Sequence, residues 1–160
     1  MRRAQTAPET IVIQTTLSLK GRALRYLAAR EHSRAELERK LAPHAGEDPA
    51  ELPRVLDELA ARGLISEQRV AESVLHRRAG TLGGARVLQE LRAKGLGGEV
   101  LADAAEQLRA TELERARAVW SRKFGMPPRD AAEKARQMRF LAARGFAGDT
   151  VRKVLSGEGD

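Results

Sequence analysis

The chain has 160 residues and no cysteine; 42% of residues are hydrophobic and 3% aromatic, and 29 lysines and arginines against 22 acidic residues give a net charge of +7. That length makes one domain or a short run of small repeats. The composition excludes collagen-like and low-complexity chains, disulfides, thiol catalysis and cysteine-based metal sites. No run approaches the ~20 apolar residues of a membrane span, and the polar residues after Met1-Arg2-Arg3 do not read as a signal peptide. The expectation is a cytoplasmic protein whose positive charge favours a polyanion or an acidic protein surface.

Residues 1–17 read as a flexible tail. Ile11-Val12-Ile13 has strand character, but no second such run exists to pair with it. From Ser18 onward the apolar spacing is helical: Leu24, Leu27 and Ala28, then Leu52, Val55, Leu56 and Leu59, and so on to Val151, Val154 and Leu155. Each stripe is two or three turns long, so these helices need packing to persist. Ser33-Arg34-Ala35-Glu36, Thr111-Glu112-Leu113-Glu114 and Asp130-Ala131-Ala132-Glu133 have the form of N-terminal capping boxes. Gly63, Gly95 and Gly145 each follow Arg or Lys and precede Leu or Phe, the signature of a left-handed C-terminal cap. Pro49 suits a helix start, whereas Pro53 either begins that helix or kinks it.

Internal repetition organises these elements. Leu59-Ala60-Ala61-Arg62-Gly63 recurs as Leu141-Ala142-Ala143-Arg144-Gly145, with Leu91-Arg92-Ala93-Lys94-Gly95 a close relative. Leu41, Leu91 and Leu141 share one spacing, each late in the middle helix of a three-helix unit. The predicted architecture is all-α, with three tandem three-helix repeats at 18–63, 64–109 and 110–156, nine helices in all, and a short tail at 157–160. Charge follows the units. Residues 19–45 carry +4, 46–75 carry −4, 76–98 carry +4, 99–109 carry −2 and 110–153 carry +6.

Candidate chemistry is sparse. His32, His44 and His76 have no i, i+4 partner for a metal, and His32, just before a helix cap, reads as a surface residue. Gly80-Thr81-Leu82-Gly83-Gly84 lacks the Gly-Lys-Ser/Thr and the preceding strand of a phosphate loop, and reads as a helix–helix turn. Trp120 falls on an apolar stripe and Tyr26 flanks one; 3% aromatic content cannot supply stacking platforms for single-stranded bases. No catalytic, cofactor or metal site is expected. The candidates for partner or DNA contact are basic: Arg25, Arg30 and Arg34 in the first unit, Arg77, Arg78, Arg86, Arg92 and Lys94 in the second, and Arg122, Lys123, Arg136, Arg139 and Arg144 in the third. Arg22 and Arg115 belong to the same blocks. Arginine suits bidentate contacts to carboxylate or phosphate.

Four segments in order carry a resemblance that spans Ser18 to Leu155. They are Ala23-Leu24-Arg25-Tyr26-Leu27 with His32-Ser33-Arg34-Ala35-Glu36-Leu37 and Lys40-Leu41; Leu64-Ile65-Ser66-Glu67-Gln68-Arg69-Val70-Ala71; Gly84-Ala85-Arg86-Val87 with Glu90-Leu91 and Lys94-Gly95; and Arg139-Phe140-Leu141-Ala142-Ala143-Arg144-Gly145-Phe146. In this order the chain resembles the RecX family, bacterial regulators of the RecA recombinase. It departs at Glu67, where the family often has Asp, and at Val70, where it often has an aromatic residue. The resemblance implies a curved, elongated array. It also implies a non-enzymatic regulator that lodges in the groove of the RecA–DNA filament and restrains strand exchange, ATP hydrolysis and co-protease activity, with roles in recombination, DNA repair and the SOS response. Nine helices stacked at roughly 9 Å give a body about 70 Å long. The residues alone also allow a sequence-tolerant DNA-binding repeat protein, because three-helix units with basic second helices resemble helix-turn-helix modules. A monomer is expected, since stacked units bury their own stripes.

Overall fold

The computed structural model describes residues 17–158, which are helical throughout with no strand. The helices are α1 (Leu19–Ala29), α2 (Arg34–Leu41), α3 (Glu51–Ala61), α4 (Glu67–Arg78), α5 (Gly84–Ala93), α6 (Gly98–Lys123), α7 (Ala131–Ala143) and α8 (Gly148–Ser156), with one 3-10 turn at Ala42–His44. The strand-like Ile11-Val12-Ile13 lies outside the described residues.

Three small cores replace a single large one. Helices α1–α3 enclose Leu19, Ala23, Leu37, Leu41, Leu56 and Leu59. Helices α4, α5 and the first half of α6 enclose Val70, Ala71, Val74, Val87, Leu91, Leu96, Ala104 and Leu108. The second half of α6 with α7 and α8 encloses Ala116, Val119, Leu141, Phe146, Val151 and Val154. These groups are called the first, second and third unit below. Trp120 packs against the third core and donates its indole N–H to Gln137 Oε1 at 2.8 Å.

Among the described residues eight α-helices stand where nine were expected, because α6 runs through the expected break at 109/110. No glycine or proline interrupts the sequence between Gly98 and Lys123. Thr111 is therefore not a cap: its hydroxyl donates to Gln107 O at 3.2 Å, the back-bond of a mid-helix threonine. Pro53 does not kink α3. It occupies the first turn, where a backbone N–H has no helical partner to lose, and the ladder resumes with Arg54 N to Ala50 O at 3.2 Å.

Ser33 and Asp130 do cap α2 and α7, accepting from Glu36 N and Glu133 N at 3.1 and 2.8 Å. Gly63, Gly95 and Gly145 have φ of 73°, 83° and 94°. After each glycine the next N–H reaches back to a leucine carbonyl: Leu64 to Leu59, Leu96 to Leu91 and Phe146 to Leu141. The three copies are not equivalent, however. The motifs at 91–95 and 141–145 end middle helices, whereas 59–63 ends the third helix of its unit.

The units join through their middle helices. The C-terminal end of α5 meets the N-terminal end of α2: Ser33 Oγ donates to Lys94 O, and a Cβ on Gly95 would lie 2.7 Å from Ala35 Cβ. The C-terminal end of α7 meets the N-terminal end of α5 in the same way, with Gly83 N donating to Arg144 O at 2.8 Å and Arg86 Nη1 to Ala143 O at 2.7 Å. Partial negative and partial positive helix ends thus face each other at both joints. Among the described residues, the hydrogen bonds and ion pairs between units join neighbours only: Ser33–Lys94, Glu36–Lys94, Arg39–Ala93 and Glu31–Arg69 link the first to the second.

The glycines at the second joint set its spacing. A Cβ on Gly145 would lie 2.2 Å from Arg86 Cγ and 2.9 Å from Arg86 N, whereas one on Gly63 meets nothing within 4 Å. Gly63→Ala is expected to cost only the left-handed backbone penalty of about 1–2 kcal/mol. Gly145→Ala adds displacement of the joint and is expected to cost at least twice as much. Urea denaturation of the two variants checks this ranking.

Candidate partner-binding surface

The thirteen basic candidates divide by what they touch. Several are spent inside the array. Arg30 Nη1 donates to Glu36 Oε2 at 2.9 Å, and Lys94 Nζ to Glu36 Oε1 at 2.6 Å. Arg34 pairs with Asp57 at 2.7 Å and Glu38 at 3.5 Å, and Arg78 with Glu90 at 3.3 Å. Arg86 holds Ala143 O, and Arg122 holds Gly80 O at 2.8 Å. Lys123 and Arg144 lie over the Phe140 ring at 5.6 and 4.9 Å. Arg25, Arg77, Arg92, Arg136 and Arg139 are exposed and have neither a hydrogen bond nor an ion pair among the described residues. Arg25 lines a hollow of about 290 Å³ with Leu17, Arg22 and Tyr26.

Lys94 is the candidate most changed by the structure. Its side chain is only 14% exposed because it crosses the first joint to Glu36, itself 6% exposed. Burial pushes the Glu36 carboxyl towards its neutral form, but the hydrogen bonds from Lys94 and Arg30 outweigh this and hold its pKa below the usual value. Glu36 therefore does not close a reciprocal capping box; its carboxylate bridges two units instead.

His32 corrects a second expectation, since it is buried rather than a surface residue. Its Nδ1 lies 3.0 Å from Arg30 O and its Nε2 2.9 Å from Lys40 Nζ. A neutral ring with the proton on Nδ1 satisfies both contacts, donating to the carbonyl and accepting from the ammonium. Lys40 also covers the Tyr26 ring at 4.8 Å, and that ring lies 5.7 Å from His32. Burial lowers the His32 pKa below 6.5; the bond to Arg30 O opposes this, and the charges of Arg30 and Lys40 reinforce it.

Arg115 belongs to the basic block of the third unit, yet it points inward. Its Nη1 donates to Ala79 O and Leu82 O at 2.9 and 2.7 Å, and Nη2 to Leu108 O at 2.9 Å. Burial lowers its pKa, Glu112 partly opposes this, and the group stays charged at physiological pH. Glu112 caps α5 from a distance, accepting from Gly84 N at 3.0 Å. The sequence carries no signal for either role, because both depend on how far α6 continues. Among the described residues no group of three or more His, Asp or Glu side chains is arranged to hold a metal, and no helix is long and apolar enough to cross a membrane.

An all-helical array of small units, joined end to end and carrying exposed arginines without ion pairs on each, defines a helical-repeat protein. The chain belongs to the RecX family. Residues 110–155 match the third three-helix domain of RecX, and residues 20–59 match the first. Over 139 residues it is 65% identical to the regulatory protein RecX of Leptothrix cholodnii, covering 87% of this chain and 88% of that one. Over 141 residues it is 53% identical to the regulatory protein RecX of Ralstonia nicotianae, covering 88% of each. The fold is similar to a crystal structure of RecX from Lactobacillus salivarius, with a TM-score of 0.72, 19% identity and coverage of 87% and 93%. A second crystal structure, of regulatory protein RecX, gives a TM-score of 0.70 at 22% identity, covering 88% of this chain and 72% of that one.

His32, buried within the first unit, gives the stability a definite pH dependence. Because the His32 pKa is lowered in the folded chain, its neutral form contributes fully above the unfolded value near 6.5. That contribution is lost as the pH falls through the folded value, since the unfolded chain takes up the proton first. The melting temperature is expected to drop between pH 7 and pH 5, and His32→Gln to remove most of that drop while lowering stability at pH 7. Thermal melts of both proteins across this range check the sign.

Proposed function

We propose that the chain is a non-enzymatic regulator that binds the RecA–DNA nucleoprotein filament along its groove. It mainly inhibits the filament's recombinase, ATPase and co-protease activities, acting in the cytoplasm as a monomer. Membership of the RecX family and the regulatory names of its relatives support this reading. The observation that carries it is the distribution of unspent charge. Arg25 lies on the first unit, Arg77 and Arg92 on the second, and Arg136 and Arg139 on the third, all exposed. A filament is a repeating partner, so several weak contacts on linked units gain from effective concentration. Inhibition follows if the array favours one filament state over another.

The test is RecA's single-strand-dependent ATP hydrolysis, titrated with this protein after filaments have formed, beside its binding to naked DNA at the same salt. Hydrolysis is expected to fall at concentrations where naked DNA is barely bound. Arg77→Ala with Arg139→Ala is expected to raise the half-inhibitory concentration about tenfold or more, and either change alone only a few-fold. Hydrolysis that stays unchanged until the DNA itself is saturated would sink the proposal.

A further inference from the structure

His32 and Lys40 set a buried proton acceptor against an amine. The ring is 1% exposed, and its Nδ1 proton is committed to Arg30 O at 3.0 Å. Its Nε2 lone pair is then left for Lys40 Nζ, 2.9 Å away. Lys40 lies in the last turn of α2, and its side chain runs back along the helix to reach the ring. It has no ion pair among the described residues. The carboxylate of Glu36 is already taken by Arg30 and Lys94. The nitrogen of Lys40 is therefore held by a neutral imidazole and by the face of the Tyr26 ring, 4.8 Å away.

Lys40 opens on a groove of about 330 Å³ at the first joint, which Arg30, Arg39 and Lys94 also line together with Glu36 and Glu90. Glu36 binds Arg30 and Lys94, and Glu90 binds Arg78. Arg39 is thus the other cation of the groove without an ion pair among the described residues. It donates to Ala93 O at 3.2 Å, which fixes the guanidinium and leaves its charge uncompensated. A small anion drawn into the groove by Arg39 lies beside the Lys40 amine.

We propose that Lys40 is a site of acetylation by a small acyl phosphate, with His32 as the proton acceptor. Lys40 first loses one proton to solvent. The neutral amine donates an N–H to His32 Nε2, which turns its lone pair towards the groove. That lone pair attacks the acyl carbon, and the C–N bond forms as the C–O bond to phosphate breaks. Inorganic phosphate leaves with the electron pair, and the second amine proton passes to Nε2 and then to solvent. An acyl phosphate suits the groove better than an acyl thioester such as acetyl-CoA. Its negative charge adjoins the acyl carbon, where Arg39 meets it, whereas the phosphates of the thioester lie far from its acyl group. The product amide keeps an N–H for His32 but loses the charge of Lys40. The proposal concerns the chain alone and stands apart from the recombinase reading.

The test incubates the full chain with acetyl phosphate and uses the other lysines of the same molecule as internal standards. Mass spectrometry of glutamate-specific digests gives the initial rate at each lysine. Lys40 is expected to react about tenfold faster than Lys134 and Lys153, which are exposed and have no ion pair among the described residues. His32→Gln, which keeps a hydrogen-bond acceptor but no base, is expected to bring Lys40 down to their rate without changing theirs. Arg39→Gln is expected to slow Lys40 a few-fold with acetyl phosphate and not with acetyl-CoA. The ratio of Lys40 to Lys134 is also expected to fall as acid protonates His32, whose charged neighbours are Arg30, Lys40 and Glu36. Helicity and melting temperature verify that each variant is folded. The proposal is overturned if Lys40 reacts no faster than Lys134 and Lys153, or if His32→Gln leaves its lead intact. It is equally overturned if acetyl-CoA gives Lys40 the same lead as acetyl phosphate does.

Discussion

The architecture depends on one contact made twice: the C-terminal end of one middle helix set against the N-terminal end of the middle helix before it. Helix ends carry unsatisfied carbonyls and N–H groups, and short helices have proportionally more of them. Joining end to end lets α5 satisfy α2, and α7 satisfy α5, through Ser33 to Lys94 O and Gly83 N to Arg144 O. The glycines at 83, 95 and 145 follow from this, because the chains approach too closely for a Cβ. Each core holds six to eight buried apolar residues, so cohesion of the array rests on nearest-neighbour joints, as in other repeat proteins.

The same demand explains where much of the positive charge goes. A basic composition suggests a uniformly basic surface, but arginine is also the side chain best able to satisfy several carbonyls at once. Arg115 ties α6 to the loop after α4, Arg122 holds Gly80 O and Arg86 holds Ala143 O. Charge used on backbone carbonyls is not neutralised by them, so Arg122 serves the fold and keeps its positive field. Charge used on buried Glu36 is neutralised, which is why Lys94 leaves the binding surface.

Much of the fold was legible from the sequence because its signals are local. Helical periodicity, the Ser33 and Asp130 caps and the left-handed glycines each need only a few neighbouring residues. What was not legible needed distance. Thr111-Glu112-Leu113-Glu114 has the form of a capping box, yet nothing breaks the helix before it, and Glu112 serves Gly84 instead. Leu59-Ala60-Ala61-Arg62-Gly63 copies the motifs at 91 and 141 without their role, because the sequence encodes a helix stop and not what docks on it. His32 reads as exposed beside a cap, and is buried because Lys40 and Tyr26 fold over it. Among the basic candidates, composition identified the class of residue, while spent and unspent arginines were separated only by partners far along the chain.

The two joints share geometry but not chemistry. The first contains a buried carboxylate held ionised by two cations, so its cohesion depends on that protonation state, while His32, held neutral beside Lys40, adds a second within the first unit itself. Acidification works against both: His32 loses its contribution below about 6.5, and Glu36 loses its own as the pH falls through its lowered value. The second joint is made of backbone hydrogen bonds, close glycine packing, the Glu112 carboxylate on Gly84 N, and guanidinium groups that keep their charge throughout that range. In a linear array each joint can open without its neighbour. The first unit is therefore tied to the rest by contacts that acid weakens. The second and third remain joined by α6, which passes through both cores.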